Sequence, residues 1–207
     1  MRAGGELCQP SEGGTARCSV MGKRAKRYVA ENPQAKVRIA RNGTMAALDG
    51  SLWDLKKDKA IRLRAWIKAD AGSLERAEPL VVGFAGDLVV ATMAPCAGPC
   101  AESRLFTAKG KAISKRSFSG VGESVPASGD HYFGFGQYGE LVRIHAATKQ
   151  VTLVGAEREP EPFESGEAAL VNGAPTLAYI GDAGLVVKTF SLDATTLVRT
   201  REVPFCK

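Results

Sequence analysis

Residues 37–50, "VRIARNGTMAALDG", read as an extended segment, a turn at Asn42 and Gly43, and a second extended segment. Asn-Gly between such segments is a strong short-range hairpin signal, because tight hairpin turns require positive φ and these two residues adopt it at least cost. The arrangement recurs in "PLVVGFAGDLVVATM" (79–93), "SVPASGDHYFGFG" (124–136) and "AALVNGAPTLAYIG" (168–181). The turn glycines, Gly43, Gly86, Gly129 and Gly173, stand 43, 43 and 44 residues apart.

Each hairpin is followed by another pair of extended segments: "SLWDLKK" with "AIRLRAWI", "SRLFTAKG" with "AISKRSF", "ELVRIHAA" with "QVTLVGAE", and "GLVVKTFSL" with "TTLVRTREV". In "IRLRAWI" the period of two puts Ile61, Leu63, Ala65 and Ile67 on one face, and the arginines and Trp66 on the other. No long segment has a period of 3.6, so helix is expected to be scarce. Four short strands in every 40 to 45 residues or so predict an all-β protein, a β-propeller in which each meander is one blade. A single four-stranded sheet cannot cover both its faces, so blades stack on one another.

"SLWDLKKDKAIRLRAW" resembles the third and fourth strands of a WD-repeat blade, with Trp53 and Asp54 where that family carries its dipeptide. The other copies read "LFTAKG", "VRIHAAT" and "VKTFSL" at that place, and the Gly-His opener of the family is absent. The resemblance is therefore to propellers generally.

Residues 1–35 contain three further candidate strands, "GELCQ", "TARCSVMG" and "AKRYVAEN", and the C-terminal "VPFCK" could supply a missing innermost strand. The expected organisation is one domain over 1–207. Its five blades would be 1–35 plus 202–207, 36–70, 78–119, 123–160 and 166–201, closed by the N- and C-terminal strands. A four-bladed ring with an N-terminal extension and a fragment of a larger ring are the alternatives.

In a propeller, the loops joining second to third strands lie on the face where ligands most often bind. Here these are "LDGS" (48–51), "APCAGPCAES" (94–103), "GQYGE" (136–140) and "GDAG" (181–184), so the second blade carries an enlarged loop. Its Cys96 and Cys100 are spaced C-x-x-x-C between strands. A redox centre favours C-x-x-C at a helix N-terminus, and zinc needs four ligands, for which the chain offers besides only Cys8, Cys18, Cys206, His131 and His145. The expectation is a Cys96–Cys100 disulfide, one further pair among Cys8, Cys18 and Cys206, and no metal site. Two disulfides imply an oxidising compartment, extracellular or periplasmic, with a cytoplasmic location as the alternative. The N-terminal "MRAGGELCQPSEGG" has an arginine but no apolar h-region, so the expectation is either that there is no export signal or that one was removed and replaced by a start Met.

The innermost strands "VRIAR", "LVVGF", "VPAS" and "AALV" contain no Asp or Glu, which argues against a glycosidase needing acids at the axis. Glu78, Glu123 and Glu167 precede three successive innermost strands and could ring the channel mouth, with Lys36 nearest that place in the first copy. Asp49, Gln137, Tyr138 and Asp182 share that face and complete the candidate ligand-binding set. His145 shares its side with Arg143 and reads as an ordinary polar-face residue. "GFGQYG" lies in a strand and turn, so it is not a nucleotide fingerprint.

The chain has a formal charge of +6, unevenly spread: residues 1–76 hold 16 Lys and Arg against 8 Asp and Glu, and the remainder holds 12 against 14. Few aromatics interleave the basic part and no nucleic-acid module is present, so a nucleic-acid partner is not expected. No apolar run approaches the roughly 20 residues of a membrane span. The expected function is a non-catalytic binding module for a protein or glycan, without cofactor. The rivals are a propeller hydrolase using the glutamates, and an assembly role in which the basic first blade docks on an acidic partner.

Overall fold

The computed structural model describes residues 2–3, 6–10, 16–40, 42–64, 66, 78–93, 101–113, 117–125, 131–136, 138–155, 166–181 and 183–204. The chain begins with a three-stranded sheet, β1 (Arg2–Ala3), β2 (Glu6–Pro10) and β3 (Ala16–Val20), followed by helix α1 (Lys23–Glu31). Four antiparallel meanders of four strands follow. The first is β4 (Val37–Ile39), β5 (Met45–Leu48), β6 (Ser51–Asp54) and β7 (Lys59–Ile61). The second is β8 (Leu80–Ala85), β9 (Leu88–Met93), β10 (Glu102–Phe106) and β11 (Phe118–Ser119). The third is β12 (Val121–Val125), β13 (His131–Gly136), β14 (Leu141–His145) and β15 (Gln150–Val154). The fourth is β16 (Gly166–Val171), β17 (Ala174–Gly181), β18 (Gly184–Phe190) and β19 (Leu197–Pro204). Strand order within each sheet follows chain order, and the innermost strands lie side by side, β4 by β8, β8 by β12 and β12 by β16. These are β-propeller blades, as the repeat predicts.

The turn chemistry is where the repeat places it. Gly43, Gly86 and Gly173 have φ of 66°, 56° and 82°, and Gly129 lies outside the described residues. Asn172 joins Gly173 in the left-handed region, giving the two-residue turn that matches strand twist. Asn42 acts differently: its side chain accepts the Thr44 N–H at 2.9 Å and the Thr44 hydroxyl at 2.8 Å, which caps a longer loop.

The core is serial. Met45, Ala47 and Leu52 of the first blade pack against Val81, Phe84, Val89, Ala91 and Phe106 of the second. Ala85, Val90 and Leu105 of the second meet Tyr132, Val142 and Ile144 of the third, whose opposite side sends Phe133, Phe135 and Leu141 against Leu177 and Phe190 of the fourth. Alternation therefore serves two cores per sheet, which is why "MAAL" of β5 is buried at every position.

Three expectations are corrected. "AKRYVAEN", read as a strand, is mostly in α1. Met21, Ala25, Tyr28 and Val29 share one helical side, and they pack on Ala46, Leu48 and Leu55 of the first blade. That helix covers the sheet face turned away from the second blade. The "VPFCK" strand does not sit in the first sheet: Val203 and Pro204 extend β19 along β18, pairing with Leu185 and Gly184, and 205–207 lie outside the described residues. Trp66 is not opposed to Ile61 and Leu63. Strand β7 ends at Ile61, the alternation ends with it, and Trp66 joins the same core, 5.5 Å from the Phe106 ring.

Candidate functional site

The face carrying the second-to-third strand connections is built from four turns on rigid strands. Strands β5 and β6 are joined by 49–50, β13 and β14 by 137–140, and β17 and β18 by 182–183. The β9–β10 connection spans 94–101, two to four times as long, and contains both Cys96 and Cys100. Residues 94–100 lie outside the described residues, so their expected disulfide does too.

The expected binding residues separate in the fold. Asp49 is a structural joint: it accepts the Tyr28 hydroxyl at 3.0 Å and the Lys36 N–H at 2.8 Å, tying the C-terminal half of α1 and the segment after it to the β5–β6 turn. That bond to Asp49 holds the Tyr28 phenol above its ordinary pKa. Glu78 is exposed just ahead of β8. Glu123 and Glu167 lie within β12 and β16 and not ahead of them, opposite Phe135 and Ala178. Glu167 is exposed, and the Glu123 side chain is outside the description, as are Gln137 and Asp182. Tyr138 is half-buried, and its N–H donates to Glu140 at 3.1 Å. Among the described residues no three His, Cys, Asp or Glu side chains converge to hold a metal.

Two charged groups on this face are buried and were not expected. Glu140 is 3% exposed and accepts the Ser119 hydroxyl from the second blade. Lys188 is 1% exposed, with its ammonium 5.6 Å over the Tyr179 ring and close to Gly139. Glu140 thus stitches the second blade to the third, and Lys188 packs the fourth against the third. The signal for Lys188 was in the sequence: in "GLVVKTFSL" it alternates in phase with Phe190, on the side that meets the third blade. A further clamp centres on Ser103, which is fully buried. Ser103 is bonded to the Thr92 hydroxyl at 2.7 Å and accepts the Val121 N–H at 2.8 Å, while Thr92 donates to the Val121 carbonyl at 2.8 Å.

On the opposite face, both histidines of the chain meet. His131 and His145 are partners across β13 and β14, with rings edge to face at 4.7 Å. Arg143 is 2.9 Å from His131 Nε2. A guanidinium only donates, so Nε2 accepts and the His131 proton sits on Nδ1. His145 and Arg143 share one side, as the alternation implied; the cross-strand partner was not legible locally.

Several solved structures have some likeness to the chain. They include the WD40 β-propeller domain of Doa1 (TM-score 0.42, 17% identity, 78% of this chain and 51% of that one). The complex of KlAtg21 with the coiled coil of AgAtg16 matches at TM-score 0.48 and 8% identity, over 80% of this chain and 54% of that one. Kuenenia stuttgartiensis hydrazine synthase matches at TM-score 0.48 and 10% identity, over 81% and 48%. The chain spans about half the length of these structures. No family model and no curated protein matches the chain. The propeller architecture rests on strand order, register and stacking in the four meanders. Among the described residues, no helix is long and apolar enough to cross a membrane.

Proposed function

We propose that the chain is a non-catalytic β-propeller binding module, and that a protein or glycan partner seats on the face bearing the 94–101 connection. The observation that carries this reading is the length of that connection beside its three short counterparts. An enlarged loop on a scaffold of stacked sheets is where recognition surfaces grow without cost to the core. The buried polar groups of that face support the reading: Glu140 and Lys188 are engaged in joining blades, and Asp49 in anchoring α1.

The test compares partner capture by the native chain with capture by a variant whose 94–103 segment is shortened to Asp-Gly. The reading requires that the shortened variant keep its cooperative unfolding and lose the partner. A turnover detected in the native chain and abolished by Glu123→Gln or Glu167→Gln, with folding retained, would replace it with the hydrolase reading.

The same reading places the protein in an oxidising compartment, extracellular or periplasmic, with a disulfide holding the loop. The second pair is one among Cys8, Cys18 and Cys206. Intact mass of alkylated native material, with and without reduction, should show two disulfides. Five free thiols would sink the proposal of export.

A further inference from the structure

The two ends of the stack of blades are finished differently. Helix α1 covers the outer face of the first blade. On the outer face of the fourth, turned away from the third, several large apolar side chains among the described residues are exposed. Among the described residues, eight of the ten exposed large apolar side chains belong to this last blade and its turns. Ile180, Leu185 and Val203 are 52%, 36% and 40% exposed, and they form one row across β17, β18 and β19 on that outer face. The inner face of the same sheet buries Leu177, Lys188 and Phe190 against the third blade. Alternation along a strand thus presents apolar residues on both sides, as in a blade with neighbours on both sides.

The adjacent row carries charge. Register aligns Glu167 of β16, Ala178 of β17, Val187 of β18 and Arg201 of β19. Glu167 and Arg201 are exposed at its two ends, with the apolar pair between them half-buried. A second copy stacked face to face, about a two-fold axis running along the strands, reverses strand order and keeps each row in place. β16 then lies over the partner's β19. Glu167 of each copy meets Arg201 of the other, and the apolar row stacks on its own image in reversed order. The alternative two-fold, across the strands, would bring Glu167 towards its own image. We propose that the outer face of the fourth blade is an isologous homodimer interface, in which two copies stack blade on blade with reciprocal Glu167–Arg201 pairing.

The experiment is sedimentation velocity of the full chain from about 1 to 200 µM, since self-association depends on protomer concentration. Circular dichroism melts of each variant monitor folding. Native protein should dimerise, and Leu185→Lys should leave it monomeric. Glu167→Arg places arginine against arginine and Arg201→Glu places glutamate against glutamate. Each should raise the dimer Kd about 10-fold or more, and the double reversal should restore it to within about 3-fold of native. The two charge positions are exposed at the sheet's edges, so these variants fold even if Leu185→Lys does not. A monomer throughout the range overturns the proposal, including the case in which another part of the chain covers the face. A dimer indifferent to the single reversals, or one further weakened by the double reversal, overturns it as well.

Discussion

The Asp58 carboxylate, at the turn between β6 and β7, accepts the Arg24 N–H at 2.6 Å and, with its other oxygen, the Ala25 N–H at 3.0 Å. A residue 34 positions downstream therefore caps the first turn of α1. The usual cap position holds Gly22, which has no side chain to offer. Helix and first blade are one unit through this contact and the apolar seam beneath it. Asp58 has φ 51°, so the informative change is Asp58→Gly, which tolerates that backbone while removing the cap. It should lower stability by about 1–2 kcal/mol. Amide exchange in residues 24–31 should rise more than in β8 or β13. Equal acceleration throughout the chain would show that α1 does not open separately.

Ser103 presents a second case of satisfaction across blades. With its hydroxyl bonded to Thr92 and receiving the Val121 N–H, Ser103→Ala leaves a buried donor without a partner. A loss of about 1–3 kcal/mol is expected in urea unfolding. Thr92→Val in the Ser103→Ala background should cost less than in the native chain, because the two hydroxyls share one network. Additive losses would refute the clamp.

Gly83 is held open by an aromatic ring. A Cβ there would stand 2.5 Å from Cε2 of Tyr132, whose ring is buried between the second and third blades. Gly83→Ala should cost about 1–3 kcal/mol by overpacking. Trimming the neighbour relieves it, so Gly83→Ala in a Tyr132→Leu background should cost clearly less. Thermal unfolding of the four proteins in this cycle checks the coupling.

Asp54 of the Trp53-Asp54 dipeptide accepts the Lys57 N–H at 3.0 Å and the Lys56 N–H at 3.1 Å, and these bonds hold its carboxyl below the ordinary aspartate pKa. A lowered folded pKa means that its stabilisation is complete above the unfolded value, about 3.9, and is lost as pH falls through the folded one. The stability gap between native protein and Asp54→Asn should therefore be constant near neutrality and shrink below about pH 4. A gap independent of pH across that window would assign the effect to packing. The Lys57 ammonium, 3.6 Å away and largely exposed, contributes little.

Legibility in the sequence followed the range of the interaction. Turn glycines, the period of two and the four-strand count are local, and these are the features the structure repeats. The helix was missed because "KRAKRYVAEN" is short and half charged, and the 3.6-residue spacing of Met21, Ala25, Tyr28 and Val29 gains meaning only from the sheet beneath it. Trp66 was placed on the wrong side because alternation was carried past the end of β7. Of the candidate binding residues, Asp49 is absorbed into the anchoring of α1, while Glu140 and Lys188 emerged as the buried charges of that face.

The amino-acid sequence by itself determined the blade. Hairpin turns need residues that accept positive φ, and strands declare their faces through alternation, so a 43-residue period suffices to specify four meanders. Only the tertiary structure decided what each blade rests on. It placed α1 over the first blade, joined His131 to His145, buried Lys188, and left Ile180, Leu185 and Val203 exposed on the fourth. Burial is a property of two surfaces in contact, and a repeat unit carries only one of them in its own sequence.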